Sequence, residues 1–444
     1  MPSKDPLLIS KTEIRRVLGG SAFLFVCRIS GAAATFLTQL LLARWMGAAE
    51  LGSYILAFSW LTLLAAIPAG GYNAAAVRFI GQGLANQDHG IARGYIHHAI
   101  KITLLSSTGI AVIAVTGIIL FPGVPAELRM LFFVAFVGIP LFSILRVNNA
   151  IAMATSRFAL GYLPSNVIRP LLFLLLVWAI WLQDVSLTAD LAMELQVVAL
   201  IILAVLTSVL GWLSRRRLLS PALPIKDTKT WNRAAMPLLG VELFTNYFQQ
   251  ITVIVCGFFL ANADIGIYNV GYRISMLISF TLVAVDAFTA PTLSRYYHSD
   301  NRSELIREIQ HSTALRFAIA LTAVVFLILF GRWVLSFFGA EFTQGYKIMI
   351  LLALSQLAHA AVGPVTRLLA ISGHQKQSMY ASAAALILWF GLTAILMPLY
   401  GIVGVAVAVF VALTAWAVML RQLVIWCLRI SIFISVKDLE QAPP

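Results

Sequence analysis

The chain has 444 residues, 60% of them hydrophobic and only 11% charged, with a mean hydropathy of +0.91 and a formal net charge of +13. A soluble domain of this size could not cover so much apolar surface, so the composition excludes an ordinary globular enzyme and points to an integral membrane protein. The basic residues sit on short segments between apolar runs, so the charge reads as membrane topology and no nucleic-acid partner is expected.

A membrane span needs about 20 mostly apolar residues. Twelve such segments follow one another, at about 17–43, 51–77, 96–121, 127–153, 160–183, 193–214, 234–259, 267–293, 310–338, 345–370, 377–399 and 402–428. The first is preceded by Lys11, Arg15 and Arg16, as in a secretory signal, but secretory apolar regions run to about 7–15 residues and this one is much longer, so it is expected to be retained. Cys27, Cys256 and Cys427 each fall inside a predicted span, and no disulfide framework follows from them. Pro68, Pro140, Pro170, Pro237, Pro291 and Pro364 lie in or at the ends of spans. Each removes a backbone hydrogen bond, and they read either as ordinary kinks or as bending points.

Lys and Arg are densest between the sixth and seventh spans, at Arg215, Arg216, Arg217, Lys226, Lys229 and Arg233. The alternate loops hold Arg44, Arg129, Arg332 and Lys347 beside acidic residues such as Asp184, Asp190 and Glu194. An excess of Lys and Arg marks the cytoplasmic side, which predicts both termini and the central loop inside.

Two distant stretches nearly repeat each other. Met46-Gly-Ala-Ala-Glu-Leu-Gly-Ser-Tyr54 reappears as Leu260-Ala-Asn-Ala-Asp-Ile-Gly-Ile-Tyr268, with Ala49, Gly52 and Tyr54 matched by Ala263, Gly266 and Tyr268. Ala76-Val-Arg-Phe-Ile80 and Thr292-Leu-Ser-Arg-Tyr-Tyr297, each followed by a polar stretch, form a second pair. Duplication of this kind builds many secondary transporters, with the site at the junction of the repeats. An even number of spans in each half makes the repeats parallel. The expected fold is therefore an all-α integral membrane protein, with twelve transmembrane helices in two six-helix repeats, 1–220 and 221–444, around a central cavity.

Leu41-Leu-Ala-Arg-Trp-Met-Gly47, the Glu50-Leu-Gly-Ser-Tyr54 turn and Val77-Arg-Phe-Ile80 resemble the first two helices of the bacterial oligosaccharide flippases. These are the O-antigen and polysaccharide transporters of the multidrug/oligosaccharidyl-lipid/polysaccharide superfamily. Ile371-Ser-Gly-His-Gln-Lys376 and Met397-Pro-Leu-Tyr-Gly-Ile-Val-Gly404 resemble the eleventh and twelfth helices of that family. The resemblance implies translocation of a polyprenyl-diphosphate-linked oligosaccharide between the leaflets of the bacterial cytoplasmic membrane, for O-antigen, lipopolysaccharide, exopolysaccharide or other surface glycan assembly. It implies membrane lipids and other glycan-assembly proteins as partners. A cation-coupled multidrug exporter and a lipid-linked peptidoglycan precursor flippase are the alternatives. The exporter reading wants an acidic residue in the first helices, where this chain has Arg28; flippases of the second kind typically carry further helices.

Charges inside apolar helices are costly and usually face a polar path. Registering Gly52 on Gly266 places Arg28 opposite Glu242. Thr35 and Gln39 share a helix face with Arg28, and Asn246 and Gln249 share one with Glu242. The two stripes either line a cavity or clasp the halves together. Arg28, Arg273, Arg169 and Arg146 are candidates for a diphosphate, whose oxygens a guanidinium fork binds bidentately. Snorkelling competes for Arg146 and Arg169, as it does for Arg421. Glu242, Asp286 and His359 are candidates for ion coupling, or else hydrogen-bonded helix contacts. No Gly-x-x-x-x-Gly-Lys-[Ser/Thr] motif, metal-ligand spacing or catalytic outer loop is present, so a secondary transporter without cofactor, driven by an ion gradient or membrane potential, is expected rather than an enzyme.

Overall fold

The computed structural model describes residues 11–86, 88–120, 123, 125–218, 225, 227–299 and 301–428; within the helices, the side chains of 11–26, 28, 217–218, 237–238, 240–241 and 244–245 fall outside the description. The described residues are helical, with no strand among them. In order the helices are α1 (Lys11–Ala69), α2 (Tyr72–Ala85), α3 (His89–Leu120), α4 (Ala126–Ala154), α5 (Phe158–Leu163), α6 (Arg169–Trp181) and α7 (Ala189–Leu218). They continue as α8 (Thr228–Gly257), α9 (Asn262–His298), α10 (Arg302–Ser336), α11 (Tyr346–Ala361), α12 (Val365–Ile371) and α13 (Gln375–Leu428). A π-turn, Pro164–Ile168, joins α5 to α6, and a 3-10 turn, Ala340–Gly345, leads into α11.

Eight helices among the described residues are long and apolar enough to cross a membrane, or nine when the bent pair formed by Ala340–Ala361 and Val365–Ile371 is one span. Two of them, 57 and 54 residues long, each hold two of the predicted spans, and α8 supplies one more. The result agrees with the twelve-span expectation, while showing how little loop the chain uses. Where the sequence predicts a turn after the first span, α1 runs on through a break at Gly47 alone (φ 76°, ψ 175°), and α13 does the same at Gly401 (φ 56°, ψ −137°). A positive φ at one residue is what glycine permits and other residues resist. The tenth span is not one rod either. Gly363 (φ 80°) followed by Pro364 bends it by 46°.

The chain packs as two compact units, 1–45 with 57–251 and 46–56 with 252–444. Compactness thus groups the chain differently from its sequence halves. The segment 46–56 goes with the second unit, and most of α8 with the first.

In the first unit, α3 and α7 both pack along α4, and α2 packs on α3 and α4. The core there includes Ala75, Phe79, Ala92, Tyr95, Ala99, Val147 and Trp231. Between membrane helices no hydrophobic drive operates, so close backbone approach and hydrogen bonds hold the pieces. A Cβ on Gly31 would lie 2.0 Å from the Asn166 carbonyl oxygen in the π-turn, and one on Gly94 would lie 1.8 Å from that of Ile225. Around Pro68, which breaks the ladder of α1, Ser143 Oγ donates to the Ala65 carbonyl at 3.0 Å and Thr103 Oγ1 to that of Pro68 at 3.3 Å. Tyr72 Oη donates to Asn232 Oδ1 at 2.7 Å, and Tyr95 Oη to the Tyr72 carbonyl at 2.6 Å, fastening the start of α8 to α2 and α3.

In the second unit, α9, α10 and α11 pack mutually, and α11 lies along α13. Here the two copies of the repeated motif meet. Gly52 approaches Asn262 so closely that a Cβ would lie 1.7 Å from its carbonyl oxygen, and a Cβ on Gly266 would lie 2.2 Å from that of Ala48. The sequence shift that carries Ala48 to Asn262 also carries Gly52 to Gly266, so the contact is reciprocal, as a two-fold relation between the repeats requires. Asn262 Nδ2 donates to Ser53 Oγ at 2.9 Å across it, and the Ala48 N–H donates to Glu341 Oε1 at 2.7 Å.

Candidate functional site: charges inside the membrane helices

Among the described residues two largely buried ion pairs organise the polar groups, one in each unit. In the first, Arg146 of α4 donates from Nη2 to Glu242 Oε1 and from Nη1 to Tyr247 Oη, both on α8. Arg146 reaches both Glu242 and Tyr247, five residues apart on α8, because its forked guanidinium directs one donor to each. Glu242 Oε2 also accepts from the N–H of Gly71, at 3.4 Å, the positive-φ residue between α1 and α2. One carboxylate therefore touches α4, α8 and the break that starts α2. The paired side chains are 22% and 12% exposed, so removing one partner strands a largely buried group.

Arg169 stands apart from this pair. Its guanidinium lies over the rings of Phe58 and Phe142, 5.7 and 5.8 Å from their centroids, and its Nε donates to the Ser165 carbonyl at 3.4 Å. Thr35 donates to the Gly31 carbonyl at 2.8 Å, within its own helix. Gln39 is buried, Asn246 is exposed and Gln249 is half-buried. Arg28 has its backbone in α1, and its side chain lies outside the described residues.

In the second unit, Arg316 of α10 donates from Nη1 to Asp286 of α9. The Arg316 side chain is 1% exposed and Asp286 17%. His359 of α11 stacks on Trp416 of α13 with centroids 5.4 Å apart and planes at 14°, and the Trp416 indole donates to Ser382 Oγ at 3.0 Å. Arg273 of α9 is half-buried.

Three of these arginines share a property that decides what they can do. Arg146 Nε, Arg273 Nε, and Arg316 Nε and Nη2 are buried without a hydrogen-bond partner among the described residues. A buried unsatisfied polar group costs about 1–3 kcal/mol, and more when charged. Forked guanidinium donors in that condition suit an oxyanion, above all a phosphate. No group of three His, Cys, Asp or Glu side chains among the described residues could hold a metal ion.

Sequence reasoning finds both carboxylates and Arg146, but neither pairing. Registering the repeats sets Glu242 opposite Arg28, whose side chain lies outside the described residues; among the described residues Arg146 reaches Glu242. Arg316 was passed over because it follows the polar start of α10. The signal was present, since it lies 14 residues beyond Arg302 inside Ala314-Leu-Arg-Phe-Ala-Ile-Ala-Leu321, about 20 Å along the helix.

Comparison with known proteins agrees with this architecture. The family model described as polysaccharide biosynthesis protein matches residues 17–297, and that described as MatE matches 237–395. A probable low-salt glycan biosynthesis flippase, Agl15 of Haloferax volcanii, is 22% identical over 392 residues, covering 87% of this chain and 78% of Agl15. The probable flippase AglR of the same organism is 23% identical over 175 residues, which span only 37% of AglR and 39% of this chain. Among solved structures, the lipid II flippase MurJ in an inward closed conformation has a similar fold, with a TM-score of 0.75 at 14% identity over 94% of this chain and 89% of MurJ. An inward-facing multidrug resistance MATE family transporter of the MOP superfamily gives 0.74 at 16% identity, over 93% and 96% of the two chains.

Proposed function

The chain belongs to the polysaccharide biosynthesis protein family, a flippase family of the MOP superfamily, and from that premise we propose that it carries a polyprenyl-diphosphate-linked oligosaccharide from the inner to the outer leaflet of a bacterial cytoplasmic membrane by alternating access. The observation that carries the reading is the set of intramembrane guanidinium groups with buried, unpartnered N–H donors. A diphosphate is the part of such a cargo that must be drawn out of the headgroup region, and it supplies the missing acceptors. In the second unit Arg273, with no carboxylate paired to it among the described ion pairs, is the first contact; within each unit the paired arginine, Arg146 or Arg316, holds part of its fork for its carboxylate and offers the rest. Glu242 and Asp286 then have a second role. They keep their arginines neutralised when no anion is bound, which allows the empty carrier to return without a bare cation in low dielectric. His359, Glu242 and Asp286 are the groups on which coupling to an ion gradient would act. The product serves surface glycan assembly, and the partners are the proteins that make and polymerise the lipid-linked unit.

The test is transport in proteoliposomes of a fluorescent undecaprenyl-diphosphate oligosaccharide, read as accessibility to an added glycosidase. Arg273→Ala should slow translocation by about tenfold to a hundredfold, the equivalent of one lost charge-assisted contact, and Arg273→Lys should recover part of it. Wild-type protein that moves cationic drugs and no lipid-linked glycan would overturn the reading in favour of an exporter.

A further inference from the structure

At one end of the first unit, α3 enters the apolar zone and α7 leaves it. The two helices pack against α4, and a cavity of about 670 Å³ opens beside them. Its lining brings together Arg93 and Lys101 of α3 with Arg215 and Arg216 of α7, and among the described residues contains no acidic side chain. Apart from His97, its other walls are apolar, with Ile100, Leu104 and Trp212 among them. This basic cleft is separate from the Arg146–Glu242 pair, which lies on α4 and α8.

Several features say what it is built to hold. The Nη1 of Arg215 is buried without a hydrogen-bond partner among the described residues, a donor that a ligand oxyanion in the cleft can satisfy. Arg216 lies over the Trp212 ring, 5.4 Å from the centroid, and that Trp is 54% exposed, as an indole at the membrane–water boundary is. Below the cations the helices present lipid-facing apolar side chains, Leu104 and Leu105 on α3 and Val209 and Leu210 on α7. Lys101 lies twelve residues inside α3, about 18 Å from its start, and lines the same cleft, so its charge extends the basic lining toward the apolar zone. Charge concentrates where a headgroup phosphate sits, and apolar surface continues where acyl chains run. A free phosphate has no use for that apolar wall.

We propose that this cleft is a binding site for an anionic phospholipid of the leaflet that holds the basic loops, its phosphate held by Arg215, Arg216 and Lys101 and its chains lying along α3 and α7. The proposal rests on the membrane placement of the chain and not on the identity of its cargo. A lipid clamped between two helices that both pack on α4 fixes the end of the unit from which the central basic loop departs.

The experiment uses the full chain purified in mild detergent, with bound lipid read by native mass spectrometry after addition of phosphatidylglycerol or phosphatidylcholine. Wild-type protein should retain phosphatidylglycerol about tenfold more than phosphatidylcholine, as one or more charge-assisted contacts dictate. A Lys101→Gln, Arg215→Gln, Arg216→Gln variant should lose that preference, and Arg215→Lys with Arg216→Lys should keep it, which separates loss of charge from loss of fold. Equal retention of the two lipids by wild type, or an undiminished preference in the triple variant, overturns the site. So does displacement of phosphatidylglycerol by millimolar inorganic diphosphate alone, because the ligand would then be a free phosphate. The readout is lipid retention, so its failure leaves the flippase reading intact, just as failed glycan transport leaves this site intact.

Discussion

Inside a bilayer a carboxylate survives as a charge only while a cation stays with it. Glu242 pairs with Arg146, with the Gly71 N–H and Tyr247 completing the cluster. Replacing it by glutamine leaves the Arg146 guanidinium buried without its counter-charge, and a one-sided break of a buried pair costs about 3–5 kcal/mol. Glu242→Gln should therefore lower the thermal midpoint of the detergent-solubilised protein markedly, whereas Arg146→Gln combined with Glu242→Gln should recover most of the loss. A double variant no more stable than the single one would show that the pair does not hold the unit together. The acidic half of each pair is legible in the sequence, as a lone carboxylate in an apolar run. The pairing is not, because spacing along one helix says which residues share a face and nothing about which face of another helix they meet. Arg146 and Arg316 are legible as charges in apolar runs, but nothing in the spacing points the one at Glu242 or the other at Asp286.

At the scale of elements the chain turns on single residues. Gly71 has φ 72°, and a Cβ there would lie 1.9 Å from the carbonyl oxygen of Ala235 in α8. Both the conformation and the contact exclude a side chain, and a residue other than glycine in this region of φ costs about 1–3 kcal/mol before any clash. Gly71→Ala should destabilise by about 3 kcal/mol or more. Gly109, inside α3 with nothing within 4 Å of its would-be Cβ, is the control. Gly109→Ala should be neutral or stabilise by up to about 1 kcal/mol, as removal of a mid-helix glycine does. Comparing melting points of the two variants checks both, and equal behaviour would mean that the α1–α2 break is not fixed by α8. Pattern reading places a boundary near Gly47 but draws it as a loop, because a continuous apolar run carries no mark of a break that one glycine makes. Pro364 is the opposite case: the sequence marks it as a kink, and Gly363-Pro364, combining positive φ with a missing donor, bends the tenth span by 46°.

For the molecule as a whole, the distribution of Lys and Arg predicts both termini and the 214–233 loop on the cytoplasmic side, with 184–194 outside. Single cysteines introduced at Lys226 and Gln183, in a background lacking Cys27, Cys256 and Cys427, should be labelled by an impermeant maleimide in intact cells only at the second position. Labelling of the first from outside would reverse the orientation and with it the direction of transport. The cationic end of the first unit, with Arg93, Arg215 and Arg216 around one cleft, stands on the side this rule assigns to the cytoplasm.

Composition and the spacing of apolar runs were enough to establish a polytopic helical membrane protein, because burial in lipid demands unbroken apolar length and internally satisfied backbone whatever the tertiary arrangement. The duplication was equally visible, since Gly52 and Gly266 are kept glycine by a contact that leaves no room for Cβ. What the tertiary structure alone decided was which segments form compact units and which charges are neighbours. The exchange of 46–56 and most of α8 between units, the Arg146–Glu242 and Arg316–Asp286 pairs, and the basic cleft of α3 and α7 all arise from contacts between helices far apart in the chain. Such contacts depend on the rotation and depth of each helix against its neighbours, and a one-dimensional pattern of apolar and polar residues constrains neither closely enough to name a partner.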